Sequence, residues 1–302
     1  MHLMVSDFYK QIFGDKVYKI SIDAGCTCPN RDGTKGVGGC IFCNQAGSGD
    51  FTVSFSNFKS VVNQNISNQA KNNPQKDFSS SASKKGARFF IAYFQNFTNT
   101  YGNLEELKKK WLLALSVENV VGLAVATRPD CIDDDVIKVL SDISEKYFVQ
   151  LELGFQTSYE PSVKYIRRGF SNQIYFDAVS KIHKLAPKIH VVTHVIFGLP
   201  GETKEQMLKT VRDVVLSGAD GIKIANLYIL KDTDLAVDYE KGEFKALEMD
   251  EYFSLLKEAL KIIPEKMIIH RLTGDPPKNA LIAPLWPVNK KVVLNKIKEF
   301  FD

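Results

Sequence analysis

Six short apolar runs rich in β-branched residues, each separated from the next by a longer stretch of helical period, leave this 302-residue chain few folds to choose from. The runs are "VYKISID" (17–23), "ARFFIAYF" (87–94), "VGLAVAT" (121–127), "YFVQLELGF" (147–155), "KIHVVTHVIFG" (188–198) and "GIKIANLYIL" (221–230). Strands alternating with amphipathic helices make βα units around a parallel sheet, because parallel neighbours require a crossover long enough for a helix. The helical stretches carry boundary signals: acidic residues after Asp133, Glu205 and Gln206 after Thr203, and "SGADG" before the sixth run. Six units are two short of a closed eight-stranded barrel, which predicts an α/β fold of the partial (βα)6 TIM type, open on one side.

The expected organisation is an N-terminal segment (1–16), the partial barrel (17–232) and a helical and strand extension (233–302) packed on it. Residues 71–86, "KNNPQKDFSSSASKKG", read as a polar loop with little to bury, where mobility is expected. The barrel prediction also locates the chemistry, since βα loops converge at the C-terminal ends of parallel strands. The loop directly after the first run reads "DAGCTCPNRDGTKGVGGCIFCNQAG" (23–47) and holds four of the five cysteines.

Five cysteines are too few and odd in number for a disulfide scaffold, and no N-terminal stretch reads as a leader, so a reducing cytoplasmic setting is expected. No window is apolar enough to span a membrane. A formal charge of +4 permits RNA as a partner without arguing for it. In that setting clustered thiols suggest soft metals. Cys26, Cys28, Cys40 and Cys43 could close a four-thiolate zinc site, or three of them could hold an iron–sulfur cluster. Burial as plain core thiols suits a glycine-rich polar loop poorly. Gly33, Gly36, Gly38 and Gly39 give the loop backbone freedom to wrap a bulky group.

The stretch "CPNRDGTKGVGGCIFCN" resembles the radical SAM superfamily, and within it the YhcC/YtqA-type proteins related to the elongator catalytic subunit, in which eleven residues separate the first two cluster cysteines. The resemblance extends to "YFQNFTNTYG" (93–102), "ATRPDCI" (126–132), "LELGFQTS" (151–158), "IRRGF" (166–170), "HVIFGLPGET" (194–203), "HRLTGD" (270–275) and "LIAPLW" (281–286). It implies an enzyme in which Cys28, Cys40 and Cys43 bind a [4Fe-4S] cluster and leave one iron for S-adenosyl-L-methionine, with Cys26 a bystander.

For the cofactor, the resemblance implies Phe42 near the adenine, Gln95 and Asn96 in place of an element that holds the methionine amino group, and Arg168 at its carboxylate. Ile196 and Gly198 would pack on the adenine, and Leu227 and Tyr228 would approach it through their backbone. Glu152 and Gln156 flank Gly154 on the inward face, where a buried carboxylate needs a partner, either the cofactor's ammonium or ribose or a structural ion pair within the chain. Arg128 suits either a ligand carboxylate or a loop salt bridge with Asp130, and His194 either proton transfer or a core hydrogen bond. Arg167 and Lys164 could face RNA, and His270, Arg271, Lys278, Trp286 and Lys290 a substrate phosphate or base.

The implied partners are a reductant such as flavodoxin or ferredoxin, tRNA, and a separate methyltransferase for any later transfer. The expected substrate is a tRNA wobble uridine whose 5-carboxymethylaminomethyl group is taken to the aminomethyl form. The alternatives are a radical SAM enzyme acting on a small molecule and, outside enzymes, a zinc- or cluster-stabilised RNA-binding protein.

Overall fold

A computed structural model describes residues 2–47, 51–70 and 88–301. The polar stretch 71–86 lies outside the described residues. In chain order the elements are α1 (Val5–Phe13), β1 (Val17–Asp23), β2 (Val53–Ser54), α2 (Phe58–Ala70), β3 (Phe89–Phe94), α3 (Leu104–Leu115), β4 (Val120–Thr127), α4 (Asp134–Ser144), β5 (Phe148–Gln156), α5 (Glu160–Tyr165) and α6 (Asn172–Leu185). They continue with β6 (His190–Phe197), α7 (Lys204–Ser217), β7 (Gly221–Asn226), β8 (Ile229–Leu230), α8 (Asp234–Glu240), α9 (Met249–Ile262), β9 (Ile268–Arg271), β10 (Leu281–Ala283) and α10 (Lys290–Lys298).

The six expected runs form β1, β3, β4, β5, β6 and β7, all parallel, in one sheet of order β2-β1-β3-β4-β5-β6-β7-β9. The α/β partial barrel is therefore present, with β2 and β9 as its two edges. Two strands join the six: β2 is a two-residue edge, and β9, beyond residue 232, pairs with β7 in parallel. The run 221–230 is not one strand, since β8 leaves the sheet and pairs antiparallel with β10.

Helix ends follow their capping residues. The side chain of Asp133 accepts from the backbone N–H of Val136, and Thr203 and Gln206 make a reciprocal capping box at α7. Gly218 closes α7 at φ 81°, a left-handed turn that costs glycine little. No helix among the described residues is long and apolar enough to cross a membrane.

The two faces of the sheet have different fates. Outward residues such as Ile22, Phe94, Phe155, Phe197 and Ile224 are fully buried beneath Trp111, Leu140, Tyr175, Val211 and Leu256 of the helices. Inward residues at the strand starts are buried by α1, whose Phe8, Tyr9 and Phe13 meet Val17, Ile91, Ala124 and Phe148. Helix α1 thus closes the N-terminal end of the barrel, and the opposite end stays open.

Beside α1, His190 stacks on Phe8, and its Nε2 lies 2.8 Å from Nε2 of His270. Burial pushes His190 down to about 4 and His270 well below the usual imidazole range, so both are neutral in the fold. The unfolded chain takes up protons near pH 6.5, where the folded pair does not. Stability is expected to fall as pH drops from about 6.5 towards 4, read as a decreasing urea midpoint. Substituting Phe for both histidines should flatten that limb.

Candidate active site

The cysteine loop leaves β1 at Asp23 and folds back on itself. The Cys28 carbonyl accepts from Arg31 N–H (2.8 Å) and Asp32 N–H (3.2 Å), Asp32 pairs with Val37 as an antiparallel bridge, and Gly39 N–H donates to the Asn30 carbonyl at 2.8 Å. This small closed excursion brings Cys40 back towards Cys28, so eleven intervening residues do the work of a few. A turn from Cys43 N–H to the Cys40 carbonyl (3.0 Å) sets the third thiol beside the second.

Asn30 fixes the fold-back. Its amide donates to the Arg167 carbonyl at 2.6 Å and points at Cys40 Sγ at 3.6 Å. Gly36 has to be glycine, because a Cβ there would lie 2.2 Å from Asn30 Oδ1. Arg31 straps the other side: it donates to the carbonyls of Cys43 (2.8 Å) and Asn44 and lies over the Phe97 ring at 5.1 Å.

The thiols divide electrostatically. Burial pushes Cys40 up to about 12, with the charges of Cys43 and then Cys28 acting in the same direction and Arg128 opposing. Cys26 is raised by burial against the main core, with Lys110 and Asp23 as its charged neighbours. Cys131, after β4, is pushed up to about 12 by burial and then Asp130. Cys40 thus has both Cys43 and Cys28 as neighbours, and Cys26 answers to neither.

Among the described residues, no three His, Cys, Asp or Glu side chains converge closely enough to hold a single metal ion. A cluster, unlike an ion, is held by thiolates set apart by its own width. The donor set fits such a cluster: three soft thiols, an amide aimed at one sulfur, and the Arg128 guanidinium close enough to favour the thiolate of Cys40. Next to the loop, after β3, Asn96 and Phe97 both take positive φ. The buried Oδ1 atoms of Asn96 and Asn99 and Oγ1 of Thr98 have no hydrogen-bond partner, as a ligand-facing rim would.

The structure brings Phe42, Ile196 and Leu227 into one apolar cluster with Ile41 and Ile166. Gly198 turns the chain at φ 91°, where a Cβ would meet Leu247 at 2.9 Å. Tyr228 lies flat against Gly274 of "HRLTGD", where any Cβ would overlap its hydroxyl. Gln95 continues β3 through its N–H bond to the Ile22 carbonyl at 3.3 Å.

Three residues are engaged differently from the expectation. Arg168 is 1% exposed, and all five of its N–H donors go to the carbonyls of Phe155, Thr157 and Phe170 and to Asn172 Oδ1. It clamps the turn after β5 and keeps no donor for a ligand carboxylate. Gln156 does not continue the alternation of Glu152 and Gly154: the register shifts there, Gln156 has φ 62°, and its amide nitrogen, oriented to suit its surroundings, donates to the Gly154 (3.3 Å) and Phe155 (3.1 Å) carbonyls. Glu152 accepts from Lys19 (2.6 Å), Gln150 (2.5 Å), Tyr93 (2.6 Å), His194 (2.7 Å) and Lys223, so its carboxylate is committed within the chain.

Arg128 makes the loop salt bridge, bidentate to Asp130 at 2.9 and 3.0 Å, and Lys35 of the cysteine loop joins it at 3.0 Å. Asn30, Arg31, Lys19 and Lys223 were not singled out by sequence reasoning. A signal existed for the lysines: each is the one cation inside an otherwise apolar, alternating strand.

Comparison with known proteins agrees with this geometry. The model of the Radical SAM superfamily matches residues 28–214, and that of the Radical_SAM C-terminal domain matches residues 219–301. The chain is 40% identical over 290 residues to YtqA of Bacillus subtilis (strain 168), covering 96% of this chain and 86% of that protein. It is 26% identical over 231 residues to the tRNA-2-methylthio-N(6)-dimethylallyladenosine synthase of Endomicrobium trichonymphae, covering 73% of this chain and 54% of the synthase. The fold resembles that of the archaeal Methanocaldococcus infernus Elp3 with an N-terminal deletion, at a TM-score of 0.60 and 18% identity, over 88% of this chain and 58% of that one.

Proposed function

Because the chain belongs to the radical SAM superfamily, whose enzymes use a [4Fe-4S] cluster with S-adenosylmethionine and draw on an electron donor such as flavodoxin, we propose that Cys28, Cys40 and Cys43 hold that cluster and that the substrate is a tRNA wobble uridine. Bound there, cluster and cofactor would supply one-electron reductive radical chemistry. The chain's own residues do the rest. Asn30 and Arg31 hold the three thiols in place, the Asn96–Asn99 rim offers polar atoms to the cofactor, and Phe42, Ile196 and Leu227 offer it an apolar wall.

The observation that carries the reading is a loop folded back so that Cys40 has both Cys43 and Cys28 as neighbours, set at the open end of a barrel whose other end is closed. A tRNA substrate is supported by the YhcC/YtqA-type resemblance and by a relative named for a tRNA reaction. A shallow groove of about 610 Å³ beside the loop, lined in part by Val37, Glu160, Lys164 and Arg167, offers exposed Lys164 to a phosphate, with Arg167 paired to Asp234. The reaction proposed is conversion of the 5-carboxymethylaminomethyl side chain to aminomethyl, in a reducing cytoplasm, with any later methyl transfer left to a separate methyltransferase.

Nucleoside analysis of bulk tRNA tests this. Cells lacking the gene should accumulate the carboxymethylaminomethyl nucleoside and lose those derived from the aminomethyl form. Unchanged wobble uridines would remove the tRNA substrate and leave the radical chemistry standing.

A further inference from the structure

The barrel interior shows where a substrate group would stop. In the first half of β6 and β7 nearly every residue is buried on both faces; from His194 and Lys223 onward burial alternates. Ile222 and Ile224 are fully buried while Lys223 and Ala225, facing inward, are reached by solvent. On β1 the same change comes at Lys19 and on β4 at Ala126. Lys19, His194 and Lys223 therefore form the floor of an open lumen, with α1 beneath it and small inward residues (Ser21, Ala126, Gly154, Ala225) above.

The floor holds more positive charge than it balances. Glu152, its side chain fully buried, pairs with Lys19 at 2.6 Å and with Lys223, whose side chains remain 18% and 12% exposed. Both carboxylate oxygens are occupied, yet each ammonium has three N–H groups and spends one on Glu152. His194, next to Lys223 across the β6–β7 pair, is 32% exposed at its side chain and already hydrogen-bonded to Glu152. Arg271 is register partner to Lys223 on β9 and adds to the field. Arg271 has Asp275 at 3.9 Å, so with Lys223 protonated the two lysines against one carboxylate leave one unit of charge, which a monoanion balances and a phosphate dianion overshoots.

We propose that Lys19 and Lys223, held apart by Glu152, form a subsite for a carboxylate group of the substrate at the floor of the barrel. The inference rests on the reading that the lumen receives the substrate, and it deepens that reading by naming what the substrate carries. A nucleic-acid phosphate lies outside on the backbone, but the side chain of an extruded base reaches into a barrel. Both ammoniums lie over the Tyr93 ring, at 5.0 and 4.8 Å, and Lys223 reaches the Tyr93 hydroxyl at 3.5 Å, which still leaves each lysine an N–H donor for one oxygen of a carboxylate. Burial lowers Lys223 to about 7, with Lys19 and Arg271 acting in the same direction, and an incoming carboxylate would restore its charge.

Two measurements test this. In protein carrying [13C]lysine, replacing chloride by acetate at constant ionic strength should raise the titration midpoint of the Lys223 Cε resonance by about one unit, and acetamide should not. In turnover, tRNA bearing the carboxymethylaminomethyl group should lose about 30-fold or more in kcat/KM in Lys223→Met, and the corresponding carboxamide much less. Equal loss for both substrates, or equal responses to acetate and acetamide, overturns the subsite. If the wild-type protein turns over neither tRNA while acetate still shifts Lys223, the tRNA reading falls and the carboxylate subsite stands.

Discussion

Cys28→Ala, Cys40→Ala and Cys43→Ala proteins, each reconstituted anaerobically with iron and sulfide, are expected to lose the [4Fe-4S] absorbance and to form at least about 100-fold less 5′-deoxyadenosine, while Cys26→Ala keeps both. The asymmetry follows from the loop. Cys40 and Cys43 are joined by a turn, Cys28 is returned to them by the Asn30 fold-back, and the charges of Cys43 and Cys28 both act on Cys40. Cys26 rests on the main core two residues earlier and answers to Lys110 and Asp23 instead. Its change to Ala should cost within about 1 kcal/mol of stability. Asn30→Ala should fall between, retaining cluster about ten-fold less well, since it removes the donor to the Arg167 carbonyl and the amide at Cys40 Sγ while sparing every thiol. A Cys26→Ala protein without cluster absorbance would overturn the division of the thiols.

The sheet was legible because its six main strands bury their outward faces completely and alternate wherever the inward face opens. Periodicity says less where both faces are buried. The starts of β5 and β6 carry Gln150 and His190 on an inward face that is nonetheless buried, and the helix that covers that end, α1, lay in a segment to which no role was given. β9 escaped notice because it is four residues long and its partners, β7 on one side and Met4 on the other, are both remote in sequence. At the site, residue types were visible and their commitments were not. Arg168 looked like a carboxylate binder, since nothing local reveals that three carbonyls and an amide would surround its guanidinium. Gln156 was placed by strict alternation, which a register shift at Gly154 breaks. Glu152 was rightly read as a buried inward carboxylate in need of partners, but those partners come from β1, β3, β6 and β7, brought together only when the barrel curls.

Glu152→Ala is expected to lower stability at pH 7 by about 3–5 kcal/mol, because it leaves the buried cations Lys19 and Lys223 without their carboxylate. In the native protein burial alone would raise the Glu152 carboxyl, yet Lys19 and Lys223 with the His194 hydrogen bond hold it well below the usual range. Its contribution is therefore present above the unfolded carboxyl value near 4.3 and lost as pH falls below it. Without it the lysines shed protons in the fold and keep them in the unfolded chain. Variant stability should then rise with pH between 7 and 10, by up to about 2.7 kcal/mol per unit for two lysines, and more steeply than in the native protein, where burial lowers both Lys223 and Lys19 but Glu152 opposes it. Adding Lys19→Met and Lys223→Met to Glu152→Met should recover most of the loss, since apolar replacement of a whole buried ionic group is often neutral or stabilising. Recovery would show that the barrel folds without charge on its floor, leaving substrate recognition as the reason for two lysines there. No recovery in the triple variant, by chemical denaturation at pH 7, would make the floor a structural element of the barrel.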